Sequence, residues 1–176
     1  MNIFLIGYRG SGKSSVAPLL AARLGWTSSD SDEQIQLLTG LTIAEIFAEQ
    51  GEAGFREWEA SVIAGLVRRS QQVISLGGGA IIDPENRRRI KQTGFAVWLD
   101  ATADSLWKRI SDDSDSPANR PALTNQGGLD EVKTLLAQRR PLYTECADYT
   151  IDTSALTPKQ VADGIANWWI TVDKAK

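Results

Sequence analysis

The chain contains no histidine, one cysteine and one methionine in 176 residues. Without histidine the commonest general base is gone, and with only Cys146 left no Cys/His metal cluster can form. A single cysteine forms no intrachain disulfide, so a reducing, cytoplasmic compartment is expected. A basic excess is missing too. Nineteen lysines and arginines stand against 22 acids, a net charge of −3, which disfavours general nucleic-acid binding. Long apolar runs are absent: the N-terminal "NIFLI" is soon broken by Gly7 and Arg9, too early for a signal peptide or a membrane span. Any chemistry must therefore use carboxylates, lysine, arginine, hydroxyls and a bound ion. What is present suffices for a core. Hydrophobic residues make up 42% and charged residues 23%, and the length fits one domain over 1–176.

Apolar strand-like runs alternate with helical patterns. "NIFLI", "WTSSDSD", "QVISLGGG", "FAVWLD" and "DYTIDTS" read as five strands, which predicts an α/β fold with a parallel sheet covered on both faces. Between them, "KSSVAPLLAARLG" reads as a helix stopped by Gly25, with Pro18 in its first turns. "LTIAEIFAEQG" opens at Thr42 with Glu45 three residues on, a capping box, and "AGFREWEASVIAGLVRRS" is a longer helix. "DPENRRRIKQTG" is capped by Asp83 with Pro84 first. "TADSLWKRI", then "LDEVKTLLAQRRPLYTECA", a helix that Pro141 should end or kink, and "TPKQVADGIANWWITV" complete the set. Residues 111–128 are polar, punctuated by Pro and Gly, and long for a connection.

"GYRGSGKSS" fits G-x-x-x-x-G-K-[ST] through Gly7, Gly12, Lys13 and Ser14, with a strand before it and a helix after. Such a loop cradles a polyphosphate with backbone N–H groups and a helix N-terminus. Gly10, Ser11, Gly12, Lys13, Ser14 and Ser15 are thus the expected ATP-phosphate site. Lys13 should reach the outer phosphates from a solvated loop, and the Ser14 hydroxyl should ligate Mg²⁺. A dinucleotide fingerprint is excluded because the third glycine is missing. "SDSD" supplies Asp30 and Asp32. On an extended segment both carboxylates face one way, about 6–7 Å apart, so one can hold Mg²⁺ through water and the other a substrate hydroxyl. Alternatively they cap a helix starting near Glu33.

Three further features suit an anion. Arg56 lies between Phe55 and Trp58, Gly77, Gly78 and Gly79 follow a buried strand, and Arg139 and Arg140 precede Pro141. Neighbouring helical residues are about 100° apart, so only one of the last two arginines should face a cleft. Together these imply a small acidic acceptor gripped by arginine forks, with a hydroxyl held by an acid.

In order, "GYRGSGKS", "DSD", "GLTIAEIFAEQGEAGFREWE", "ISLGGGA", "NRPAL" and "RRPLY…ADYTID" resemble shikimate kinase along nearly the whole chain. The resemblance implies a P-loop NTPase fold, a nucleoside-monophosphate-kinase-like three-layer sandwich around a five-stranded parallel sheet. It implies transfer of a phosphoryl group from ATP, with Mg²⁺, to the 3-hydroxyl of shikimate by what is expected to be a monomer. By motif, Lys13, Asp32 and Arg120 are implied to be catalytic, with Ser14 and Asp30 at the metal. Asp32, Arg56, Gly77, Gly78, Gly79 and Arg139 would hold shikimate, and Arg109, Arg120 and Pro158 would contact ATP. The acceptor region spans about 31–60 and the lid about 111–128. Two rivals are a gluconate-kinase-like enzyme and a catalytically silent nucleotide switch.

Overall fold

The computed structural model describes residues 1–113 and 128–173. Arg120 and most of the expected lid lie outside the described residues. Ser111 and Asp112, the first two residues of that segment, belong to a helix, and its last residue, Gly128, opens another.

Five parallel strands form one sheet in the order β2-β3-β1-β4-β5. They are β1 (Asn2–Ile6), β2 (Thr27–Asp30), β3 (Gln72–Ser75), β4 (Gly94–Asp100) and β5 (Tyr149–Asp152). The described helices are α1 (Lys13–Leu24), α2 (Ser31–Thr39), α3 (Ile43–Leu66), α4 (Pro84–Thr93), α5 (Ala103–Asp112), α6 (Gly128–Cys146) and α7 (Pro158–Asp173), with a 3₁₀ turn at Ala80–Ile82. Every residue of β1 is buried, and its side chains alternate between the two faces. Ile3 and Leu5 pack with Val16 and Leu20 of α1 and Val161 and Ile165 of α7. Phe4 and Ile6 pack with Ile35, Ile46, Ile63 and Tyr143 from the other layer. That is the sandwich expected when both sheet faces are apolar. Among the described residues no helix is long and apolar enough to cross a membrane.

Most local signals behave as written. Gly25 ends α1 in the left-handed region at φ 69°, Thr42 and Glu45 form the capping box, and Asp83 caps α4 through the Glu85 amide. Three expectations need correction. Pro18 is not in the cost-free first turn. The helical ladder already starts at Val16 N–H to Gly12 O, so Pro18 removes the bond that would reach the Ser14 carbonyl. Pro141 does not end α6, which continues to Cys146. Asp32 is not on an extended segment: β2 stops at Asp30, and Asp32 sits in the first turn of α2. β2 is an edge strand, half exposed, which explains how "TSSD" can be so polar.

The strand order fixes where ligands bind. From β1 the chain crosses β3 to reach β2, and from β3 it crosses β1 to reach β4. Connections therefore diverge between β1 and β3, opening a crevice at their carboxyl ends. The phosphate loop leaves β1 and the glycine triplet leaves β3, so both candidate sites arise from adjacent strands.

Candidate active site

The phosphate loop starts at Gly7, where φ is +143° and a Cβ would lie 2.6 Å from the Leu99 carbonyl oxygen. Only glycine fits there. Beyond it a cavity of about 540 Å³ is lined by Arg9 through Val16, by Asp30, Asp32 and Glu33, and by Arg109, Thr153 and Pro158. The Ser14 and Ser15 side chains are exposed to it. Lys13 is not solvated as expected. It is 7% exposed, and its ammonium donates to the carbonyls of Gly7 (2.8 Å) and Tyr8 (2.9 Å) and to Ser11 Oγ (3.3 Å). Lys13 begins α1 on the turn after β1, so its stem folds back under its own loop. Arg109 ties the phosphate loop to the segment after β5 by donating to Thr153 and to the Ser154 and Gly10 carbonyls.

Asp30 does two things at once. Its Oδ1 accepts from the Asp32 and Glu33 amides as the α2 cap, and its Oδ2 accepts from Ser14 Oγ at 2.7 Å. Ser75 Oγ lies 3.4 Å from the Ser14 hydroxyl. Capping and metal support, the alternatives for this acid, are thus compatible. Among the described residues no three His, Cys, Asp or Glu side chains converge as a metal cage. The Ser14–Asp30 pair is an all-oxygen donor set, which fits Mg²⁺, an ion that takes few protein ligands alongside phosphate oxygens and water.

A second, smaller cavity of about 60 Å³ adjoins the first. It is lined by Arg9, Asp32, Ile43, Phe47, Phe55, Arg56, Glu59, Gly77, Gly78, Gly79 and Arg139. Every acceptor-site residue expected from sequence is here. Arg139 is 9% exposed and faces this cavity, whereas Arg140 turns away to pair with Asp100 at 2.9 Å, as the 100° spacing requires.

The triplet glycines answer to space, since none has a positive φ. A Cβ on Gly77 would lie 2.7 Å from Asp32 Oδ1 and 3.0 Å from Glu59 Oε1. One on Gly78 would lie 3.2 Å from the Arg9 backbone nitrogen, and one on Gly79 would lie 2.5 Å from an Arg56 guanidinium nitrogen. The acceptor loop is thus pressed against the phosphate loop on one side and the arginine on the other.

Sequence reading missed four contributors. Glu59 is 1% exposed and accepts from Arg56 Nη1 at 2.7 Å through Oε2, while its Oε1 has no hydrogen-bond partner. Its i,i+3 spacing from Arg56 was the available signal. Burial pushes this carboxyl up to about 7, against the opposing pull of Arg56. Tyr143 donates to the Gly78 carbonyl at 2.6 Å, and burial holds its phenol well above the ordinary range, so it stays a donor. It lies one turn after Arg139, whose Nη1 reaches the same carbonyl at 3.4 Å. Thr153 ties β5 to Arg109, and Arg9 lines both cavities.

Comparison with known proteins agrees with this geometry. Residues 9–169 match the family model for shikimate kinase. A shikimate kinase of Rhodopirellula baltica is 46% identical over 153 residues, covering 87% of this chain and 82% of that protein. The solved structure of shikimate kinase from Acinetobacter baumannii in complex with shikimate superposes with a TM-score of 0.90 at 38% identity, covering 99% of this chain and 95% of that one. A gluconokinase from Sinorhizobium meliloti, at 18% identity and a TM-score of 0.50, shares the fold alone. With the donor and acceptor cavities side by side on one sheet, and these relatives spanning both, the chain belongs to the shikimate kinase family.

Proposed function

We infer that this chain transfers the γ-phosphoryl group of ATP to the 3-hydroxyl of shikimate, giving shikimate 3-phosphate and ADP on the route to chorismate and the aromatic amino acids. The observation that carries this is the position of Asp32, which lines both cavities. A hydroxyl in the smaller cavity and a phosphate in the larger one then share a single carboxylate. Asp32 orients the hydroxyl and accepts its proton. Arg56 and Arg139 hold the acceptor's carboxylate, and the bare backbone of Gly77 to Gly79 lets the ring lie close. Lys13 turns to the outer phosphates, while Arg109 and Pro158 flank the base. Ser14 and Asp30 would hold Mg²⁺, which, when bound, supplies positive charge to the phosphate oxygens. Phosphoryl transfer asks mainly for such positioning and charge.

The direct test is ADP release with a panel of hydroxy acids. Shikimate should be turned over and gluconate should not; turnover of gluconate alone would overturn the reading. The arginine clamp is tested by Arg56→Lys, which keeps the charge and loses the planar fork. Shikimate affinity should fall by about 1.5–3 kcal/mol, the range for a charged hydrogen bond, with ATP affinity unchanged. Equal losses for both ligands would remove Arg56 from the clamp.

Glu59 adds a pH dependence. While neutral, it leaves the Arg56 charge to the substrate carboxylate; once ionised, it competes for that charge. Because its folded pKa is raised to about 7, shikimate affinity should weaken as pH rises through 7. The same shift gives a falling contribution to folding stability between the ordinary carboxylate range and pH 7, level above it. Calorimetric titration of shikimate from pH 6 to 8 should show the weakening, and Glu59→Gln should flatten it. An unchanged slope in Glu59→Gln would exclude this carboxyl as its source.

A further inference from the structure

Asp32, Ile43 and Arg9 are the residues common to the walls of both cavities, and Arg9 alone of the three is a cation. Arg9 is the third residue of the phosphate loop. Its backbone nitrogen abuts Gly78, and its Nη2 donates at 2.9 Å to Glu131 Oε1 in the first turn of α6. The Glu131 side chain is wholly buried and that of Arg9 is 13% exposed. Arg9 Nε lies buried with no hydrogen-bond partner.

The plain explanation is a pin between the loop and α6. A pin alone would be poorly served by this chemistry, because a buried ion pair rarely outdoes an apolar contact of similar size. The placement favours another use. Arg56 and Arg139 are taken by the acceptor's carboxylate, and Lys13 lies on the nucleotide side. A group leaving the larger cavity for the smaller one passes the wall that Arg9 forms, and it arrives as a phosphate ester dianion.

We propose that Arg9 grips the phosphoryl group as it arrives on the acceptor, with Glu131 as the positioning residue that aims its guanidinium. This rests on the reading of the chain as a shikimate kinase. In the step, the bond between the γ-phosphorus and the β–γ bridging oxygen breaks, and its electron pair leaves with ADP. The 3-oxygen of the acceptor forms the new P–O bond, and its proton passes to Asp32. Arg9 donates to the non-bridging oxygens of the phosphoryl group, a contact stronger in the transition state and product than with shikimate.

The test compares Arg9→Met, Arg9→Lys and Glu131→Gln, each titrated with shikimate and with shikimate 3-phosphate and assayed for ADP release. Arg9→Met should weaken shikimate 3-phosphate roughly tenfold or more and lower kcat by a similar factor, with shikimate affinity within about twofold. Arg9→Lys should recover part of the product affinity, and Glu131→Gln should fall between. Thermal unfolding is followed in parallel. If Arg9→Met does not fold, Arg9→Lys carries the test, since it must still discriminate product from substrate less well than wild type. Equal changes for the two ligands, or none, would leave Arg9 as a pin and overturn the proposal. Failure of the wild-type protein to turn over shikimate would instead sink the underlying assignment.

Discussion

A Lys13→Met protein is expected to lose turnover by a factor of about a thousand or more while remaining folded. Removing a single preorganised donor from a developing negative charge costs about a hundred- to a thousandfold, and a cationic lysine on the transferring group should do at least as much. The structure also says why the fold should survive. Lys13 is buried, so its ammonium is held out of bulk water by bonds to the Gly7 and Tyr8 carbonyls. Methionine loses those bonds, but it also loses the desolvation cost of a buried charge, and its stem fills the same space. The two effects oppose each other, so the midpoint of thermal unfolding should move by only a few degrees, a change of about 1 kcal/mol. The check is ADP release together with a melting curve. Near-normal turnover would remove Lys13 from the phosphate site, and an unfolded variant would mean that its carbonyl bonds hold the loop together.

Asp32→Asn is expected to have the next largest effect. Asparagine keeps the size and can still touch the hydroxyl, but it accepts no proton, and general base catalysis contributes about a hundred- to ten-thousandfold. Binding of ATP should persist, because the cradle from Gly10 to Ser15 is untouched. Asp30→Asn should behave differently. Asparagine caps a helix about as well as aspartate, so α2 should hold. The charge beside Ser14 is lost, and more Mg²⁺ should be needed for half-maximal rate. Some mixing is expected because the Asp32 amide is one of the donors to Asp30. Turnover measured across a magnesium series separates the two, and indistinguishable curves would end the division of labour.

Local chemistry was legible and crossings between elements were not. The strand–loop–helix of the phosphate site, the capping box at Thr42 and the Gly25 stop depend on neighbours a few residues apart, and each is where the sequence pointed. Helix geometry required that only one of Arg139 and Arg140 face the cleft, and the resemblance pointed to Arg139, which lines the smaller cavity while Arg140 pairs with Asp100. Asp32 lines both cavities from the first turn of a helix and not from an extended segment, because β2 ends as soon as Asp30 can cap that helix. Pro141 does not end its helix, because one missing amide bond is tolerated in a helix packed along its length. Glu131 comes to Arg9 across 122 positions, a pairing set by the packing of α6 and not by any pattern near Arg9.

The crowding around Gly77, Gly78 and Gly79 bears on attempts to retarget the enzyme by directed evolution. Each glycine is hemmed in by a different neighbour: a pair of carboxylates, a backbone nitrogen and a guanidinium. A library built on this loop would need a separate compensating change for every substitution, and for Gly78 the obstacle is main chain, which no side-chain exchange can move. Phe47 and Phe55 offer a softer boundary. Their ring centroids lie 4.8 Å apart across the break in α3 at Gly51, and both rings belong to residues lining the same cavity. Trimming either ring enlarges the acceptor space and leaves the donor half intact. New acceptors should therefore emerge from libraries at these two aromatic positions long before they emerge from the loop.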